Sequence, residues 1–189
     1  TDQLKRTISF HRRFDVLIAA MKLPLAVLVV TFATLGHVNA SPLAFITNQG
    51  SNTVSVIDIT ARKVIKTIAV GKDPAGVAID RNGTFVYVSN PSDQSVSVIE
   101  RKSLTVVATI PMGGGPLGIA SSPTADRLYI ADWHGNGVHV VDTQSHELIA
   151  NFAVGRAPSG IAVSLKGETI FVANRDDNNV QLVSADSYQ

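Results

Sequence analysis

Four short segments of this 189-residue chain are copies of one another: Phe45-Ile46-Thr47-Asn48, Tyr87-Val88-Ser89-Asn90, Tyr129-Ile130-Ala131-Asp132 and Phe171-Val172-Ala173-Asn174. Each begins 42 residues after the one before. The register extends well beyond the tetrapeptide. Val54-Ser55-Val56-Ile57-Asp58 aligns with Val96 to Glu100, Val138 to Asp142 and Val180 to Ser184, and Gly71-Lys72-Asp73-Pro74 aligns with Gly113 to Pro116 and Gly155 to Pro158. No insertion or deletion interrupts three full periods. A fixed period of this length means that one supersecondary unit is copied in tandem, each copy too small to bury its apolar surface alone.

Within one period the residue types predict four strands: A from Gly76 to Asp80, B from Thr84 to Ser89, C from Val96 to Glu100 and D from Thr105 to Ile110. All are short, rich in β-branched residues and bounded by Gly, Pro, Asn, Asp or Ser. Asn82-Gly83, between A and B, predicts a two-residue hairpin and hence an antiparallel sheet. Strand B is apolar or small on both sides, as in Ala44-Phe45-Ile46-Thr47 and Ile170-Phe171-Val172-Ala173, so both sheet faces must be covered. One side of strand A is small in every copy (Gly76 and Ala78, Gly118 and Ala120, Gly160 and Ala162), which suits a wedge narrowing toward a central axis.

These features predict an all-β chain, a β-propeller of four-stranded antiparallel blades. The copies resemble the propeller repeat known by its consensus tetrapeptide YVTN, from Leu43 to the C-terminus, with Asp132 replacing Asn in the third copy. The resemblance implies blades around a channel in bacterial or archaeal envelope proteins. Its relatives include surface-layer proteins, lactonase-like enzymes and quinoprotein or haem-d1-type redox domains, so fold alone does not select a function. The strand order is B, C, D, then two complete blades, then A, B, C, or about three and a half blades. Closed rings need roughly 4 to 8. The expectation is therefore an N-terminal fragment of a longer protein, whose lost C-terminus supplies the first blade's missing strand. The alternative is two chains completing one ring, although a blade lacking D is not simply finished by one lacking A.

Upstream of the repeats the composition changes. Met21-Lys22 precedes an apolar run from Leu23 to Leu35, and Val38-Asn39-Ala40 supplies small residues before Ser41. That order predicts a secretory signal peptide over residues 21–40, with residues 1–20 an upstream extension and residues 41–189 the repeats. The competing reading is an uncleaved membrane anchor over residues 16–35, its N-terminus held inside by Lys5, Arg6, Arg12 and Arg13. Either way the repeats are expected to be exported, to the periplasm or the cell surface, and to meet a membrane only through that anchor.

Residues 1–40 hold 5 of the 16 basic and 2 of the 15 acidic residues, leaving 11 basic and 13 acidic for the repeats. No basic stripe follows from that balance, so nucleic acid is not an expected partner. The absence of Cys excludes disulfides, thiolate metal sites and covalent c-type haem attachment in this chain. No cofactor is expected.

The repeat separates structural from functional positions, because a residue type present in every copy does the same job in every blade. Asn48, Asn90, Asp132 and Asn174 read as structural, their short polar side chains serving the turn after strand B and tolerating left-handed backbone. Pro74, Pro116 and Pro158 fix the turn from strand D into the next strand A. The departures lie in the B–C turns and D–A loops, which propeller topology places on one rim. Trp133-His134 stands where other copies have Gln49-Gly50, Pro91-Ser92 and Arg175-Asp176. This pair could stack on a ring-shaped ligand or anchor an interface, or the Trp could cover the neighbouring blade.

Lys72 and Arg156 occupy equivalent places near the channel mouth, where they could attract a carboxylate or phosphate or be plain solvated charges. Gly113-Gly114-Gly115 lacks the setting of a phosphate loop and reads as a flexible turn. His134, His139 and His146 share one blade, but His146 belongs to the opposite rim, a poor geometry for metal. Asp176 and Asp177 offer hard oxygen ligands suited to calcium, though acidic hairpin tips are usually solvated. No nucleophile, base and orienter can be assembled. The expected function is a non-catalytic binding scaffold that presents its rim to a protein, glycan or small ligand. The alternative is part of an exported propeller enzyme or redox-associated domain.

Overall fold

Residues 42–189 are described by a computed structural model. The expected signal peptide, the alternative anchor and the 1–20 extension lie outside the described residues. Among the described residues there are fourteen strands in four separate antiparallel sheets of three, four, four and three strands. Blade 1 holds β1 (Leu43–Asn48), β2 (Thr53–Asp58) and β3 (Lys63–Ala69), and blade 2 holds β4 (Val77–Ile79), β5 (Phe85–Asn90), β6 (Ser95–Glu100) and β7 (Thr105–Pro111). Blade 3 holds β8 (Pro116–Ser121), β9 (Arg127–Asp132), β10 (Gly137–Asp142) and β11 (Leu148–Ala153). Blade 4 holds β12 (Pro158–Val163), β13 (Thr169–Asn174) and β14 (Asn179–Ser184). Strands pair in chain order within each sheet and never between sheets, which gives the open propeller arc that the repeat predicts.

The core lies between blades. Phe45, Val54, Val56 and Ile68 of blade 1 pack on Val86, Val88 and Ile99 of blade 2. Tyr87, Val96, Val98 and Ile110 then pack on Leu128, Ile130 and Val141, and Tyr129, Val138 and Val140 on Ile170, Val172 and Val183. Because side chains alternate along a strand, each strand B feeds one cluster with its even positions and the next with its odd ones. That is why strand B is apolar on both sides. The first strands of successive blades crowd together, β4 against β8 and β8 against β12. A Cβ on Gly76 would lie 2.6 Å from the Leu117 carbonyl oxygen, and one on Gly118 2.5 Å from that of Ser159, so the small face of strand A is required by close backbone approach.

The A–B connection differs from the expected two-residue hairpin. Asp80 N–H donates to the Phe85 carbonyl (3.0 Å), enclosing a four-residue loop from Arg81 to Thr84, and only Gly83 in it has positive φ (+67°). The Asp80 carboxylate accepts the N–H groups of Thr84 (2.7 Å) and Phe85 (2.9 Å). A side-chain acceptor thus closes the loop, a competition that Asn-Gly content alone does not reveal.

On that rim the C–D turn of blade 3 meets blade 2. The Tyr87 hydroxyl donates to the Thr143 carbonyl (3.0 Å) and lies 3.2 Å from His146 Nδ1, while the Phe85 and His146 rings meet edge to face at 4.8 Å. Burial pushes the Tyr87 hydroxyl well above the ordinary tyrosine range. Burial also lowers His146, against the attraction of Asp142 and Asp80. Between the depressed folded value and the unfolded value of about 6.5, the unfolded chain holds more protons, so stability rises with pH through that window. Thermal melts of the wild type across about pH 5 to 7.5 should rise, and His146→Gln should flatten that slope. An unaltered slope in the variant would assign it elsewhere.

Candidate functional site

The B–C turns and D–A loops form the other rim, and they are clipped together. Lys72 N–H donates to Asp93 (2.7 Å) and Asp73 N–H to the Asn52 side chain (2.9 Å). Two repeats later Arg156 N–H donates to Asp177 (2.7 Å) and Ala157 N–H to Asn136 (2.9 Å). Each of these loops is thereby tied to the turns of both blades it joins. Asp73 and Ala157 both have left-handed φ (54° and 49°) immediately before Pro74 and Pro158. In the loop between these two, Gly113 (+69°) and Gly114 (+57°) carry the positive φ instead. The triple-glycine segment is a packed loop rather than a loose one: a Cβ on Gly114 would collide with the Asp132 carboxylate.

The asparagines that end strand B work differently from the expectation. Their backbone is not left-handed, with φ of −114° at Asn48, −124° at Asn90 and −89° at Asn174. Instead the amide donates across to strand C: Asn48 to Thr53 and Ser55, Asn90 to Ser95 and Ser97, Asn174 to Asn179 and Gln181. The left-handed residue comes four positions later, at Asn52, Gln94, Asn136 and Asn178. Asn at three of these four equivalent sites was the sequence signal for it.

Blade 3 replaces this pattern with charge. Asp132 Oδ1 accepts N–H groups from Gly115 (2.7 Å), Gly135 (2.9 Å) and His134 (3.1 Å), and Oδ2 lies 3.3 Å from His139 Nε2. Burial alone would raise this carboxyl, but the donors from Gly115, Gly135 and His139 outweigh it and hold it below the usual carboxylate value. His139 stands at the repeat position of Ser55, Ser97 and Gln181, so the Asn–Ser pair of blades 1 and 2 has become an acid–imidazole pair.

Outside that pair, the rim between blades 3 and 4 carries an aromatic and charged cluster. The Arg175 guanidinium lies 4.6 Å from the centre of the half-buried Trp133 ring. Positions 133 and 175 are one repeat apart, so equivalent side chains of adjacent turns stand side by side. Arg175 was not singled out from sequence, although that equivalence could have found it. Arg175 Nε also lies 3.6 Å from Asp176. Arg156 Nε donates to Asp177 Oδ1 (2.6 Å) and its Nη2 to the Asp176 carbonyl (3.0 Å). Hydrogen bonds from the Arg156 backbone and side chain hold the Asp177 carboxyl below its ordinary value.

The structure thus places Trp133 and Arg156 on one junction with Asp176 and Asp177, His134 against Gly115 in the loop between blades 2 and 3, and Lys72 on the rim between blades 1 and 2. There Gly71, Asp93, Ser95 and Ser97 line a shallow groove of about 310 Å³. His139 and His146 are engaged at opposite rims, and His134 is exposed. Among the described residues no three His, Asp or Glu side chains converge as a metal site would require. No described helix is long and apolar enough to cross a membrane.

Residues 79–167 match the family model described as YNCE-like β-propeller. Among solved structures the chain is similar to Kuenenia stuttgartiensis hydrazine synthase, with 27% sequence identity and a TM-score of 0.73 over 77% of this chain and 43% of that one. The chain therefore spans less than half of that structure's length. No curated protein matches the chain. The family match and the structural neighbour agree on a β-propeller domain, a coarser grouping than the YVTN-type repeat.

Proposed function

We propose that this is an exported propeller domain of the YVTN type that binds a protein, glycan or small ligand at the rim between blades 3 and 4, without catalysing a reaction. The observation that carries the reading is the Arg175–Trp133 stack beside the Arg156–Asp177 pair. Trp133 and Arg175 depart from the residues of the other copies, while Arg156 and Asp177 keep the Lys72–Asp93 clip and add a side-chain bond to it. An aromatic face and an Arg presented together on clipped loops form a preorganised contact surface, and Trp and Arg are the residues that most often dominate binding energy.

Trp133 is the chain's single tryptophan, so its fluorescence reports this junction directly. Titration with acidic peptides and with neutral and acidic oligosaccharides should shift its emission for at least one class. Arg175→Ala and Arg156→Ala should then weaken that binding about tenfold or more, with unfolding temperature unchanged. Binding that persists undiminished in both variants would remove the junction as the site.

A second reading is favoured by the structural neighbour, which is an enzyme. Here the arc is one domain of a larger exported enzyme, and its rim docks the remaining domains. Rim variants would then leave small-ligand titrations silent and weaken association with the catalytic portion.

A further inference from the structure

The three outer strands share one irregularity. Val56 pairs with Lys66 and Ile57 with Val64, so Ile65 is the extra residue of a β-bulge in β3, and Val107 in β7 and Ile149 in β11 are bulged in the same way. A bulge re-aims its side chain, and these three are 44%, 51% and 50% exposed. What separates blades 1 and 2 from blade 3 is the charge around the bulge. Lys63 and Lys66 flank it in β3, where blade 3 has Glu147 and Ala150. Arg101 and Lys102 stand in the C–D turn of blade 2, where blade 3 has Thr143 and Gln144 and blade 4 has Ala185 and Asp186. All four are exposed, and Lys66 Nζ reaches the Ser103 carbonyl (3.4 Å), which joins the charges of the two blades into one patch. None of the four is ion-paired among the described residues, whereas Arg81, Arg156 and Arg175 are. The acids that end the neighbouring strands are Asp58 and Glu100, and Asp58 is turned to the Ala61 N–H (2.8 Å). The near-balance of charge over the repeats as a whole hides this local positive excess.

The chain enters at this same edge. Leu43 pairs with Asp58 and Asp58 with Lys63, so the start of β1 lies two strand spacings, about 10 Å, from the patch. Residues 36–42 connect it to the apolar run Leu23–Leu35, and a connection of that length reaches at most roughly 25 Å. Under the anchor reading of residues 16–35, the unpaired cations therefore stand within a short tether of a bilayer. We infer that this edge of blades 1 and 2 docks on a bilayer surface of anionic phospholipid. Lys63, Lys66, Arg101 and Lys102 meet the headgroups, and Ile65 and Val107 meet the boundary between headgroups and acyl chains. Clustered Lys and Arg beside a membrane segment are attracted by anionic lipid, and exposed apolar side chains among them add shallow burial. This is a membrane contact beyond the anchor itself. The Trp133–Arg175 junction lies on the opposite rim and stays open when the edge is docked.

The test places an indole on the edge. The full chain carrying Val107→Trp in a Trp133→Phe background is mixed with vesicles of phosphatidylcholine, with and without phosphatidylglycerol, whose acyl chains are brominated to quench nearby tryptophan. Insertion of the apolar run does not depend on headgroup charge, so neutral vesicles report the anchor alone. The introduced indole should be quenched on the anionic vesicles and not on the neutral ones. Lys63→Gln, Lys66→Gln, Arg101→Gln and Lys102→Gln together should remove that quenching, each lost charge weakening the contact about fivefold. Salt at about 1 M, where the Debye length falls to about 3 Å, should remove it as well. Trp133 of the wild type should stay unquenched throughout. Position 107 and the four basic positions are exposed, and circular dichroism verifies that each variant remains folded. An introduced indole that is unquenched on anionic vesicles, equally quenched on neutral ones or indifferent to the four replacements overturns the inference. So does a Trp133 quenched as strongly as the indole on the edge.

Discussion

Replacing Ile130 with Ala should cost about 2–5 kcal/mol of unfolding free energy, the range for deleting a buried aliphatic side chain and leaving part of its cavity. The same replacement at Ile46, two repeats earlier, should change stability by less than about 0.5 kcal/mol. The residue type and repeat position are identical. Only the neighbouring blade differs, since Ile130 is fully buried against blade 2 while Ile46 is half exposed and, among the described residues, has no blade in front of it. Chemical denaturation of the two variants measures both numbers. Equal losses would mean that burial comes from within each sheet, contrary to the stacked-blade account.

The second large effect is expected at Asp132. Asp132→Ala strands the N–H groups of Gly115, His134 and Gly135 and leaves His139 without its acid, and should cost about 3 kcal/mol at neutral pH. Asp132→Asn restores the residue of the other three copies and keeps an acceptor for those donors, so it should lose less than half as much. The pH dependence separates the two roles of the carboxylate. Its folded value lies below the unfolded value of about 3.9, so its contribution is fully present above that pH and disappears as pH falls through the folded value. Wild type should therefore lose stability more steeply than Asp132→Asn on acidification below about pH 4. Parallel acid limbs would show that the carboxylate charge is not what holds this loop.

The fold was legible in the sequence because the repeat states the same physical requirement four times. The two apolar sides of strand B, the Gly-Ala side of strand A and the break after each strand D all correspond to packing seen in the structure. The turns were less legible. Asn82-Gly83 carries a hairpin signal, yet Asp80, two residues before it, offers a better acceptor to the backbone and sets a longer loop. At the end of strand B, propensity says only that Asn favours left-handed backbone, and cannot say that this conformation falls at Asn52 and Asn136 while Asn48 and Asn174 reach across to strand C.

At the rim, sequence reasoning found the departures Trp133, His134, Lys72, Arg156, Asp176 and Asp177 but treated each copy separately. The Arg175–Trp133 stack and the Asp132–His139 pair arise between repeats or across a strand pair, so alignment down the repeat hides them. The useful rule for such chains is to read each departure together with its equivalents one period away, because neighbouring blades bring them into contact.

The central claim is that blades of separately paired sheets are joined by side-chain packing and side-chain hydrogen bonds, with no strand-to-strand backbone ladder between them. Nuclear Overhauser contacts measured along the whole chain test it most directly. Backbone Hα–Hα contacts should run across β5, β6 and β7 and stop at the boundary with β8, while the Tyr87 ring still shows contacts to the methyl groups of Leu128, Ile130 and Val141. Backbone contacts continuing from β7 into β8, or a Tyr87 ring silent toward blade 3, would contradict it.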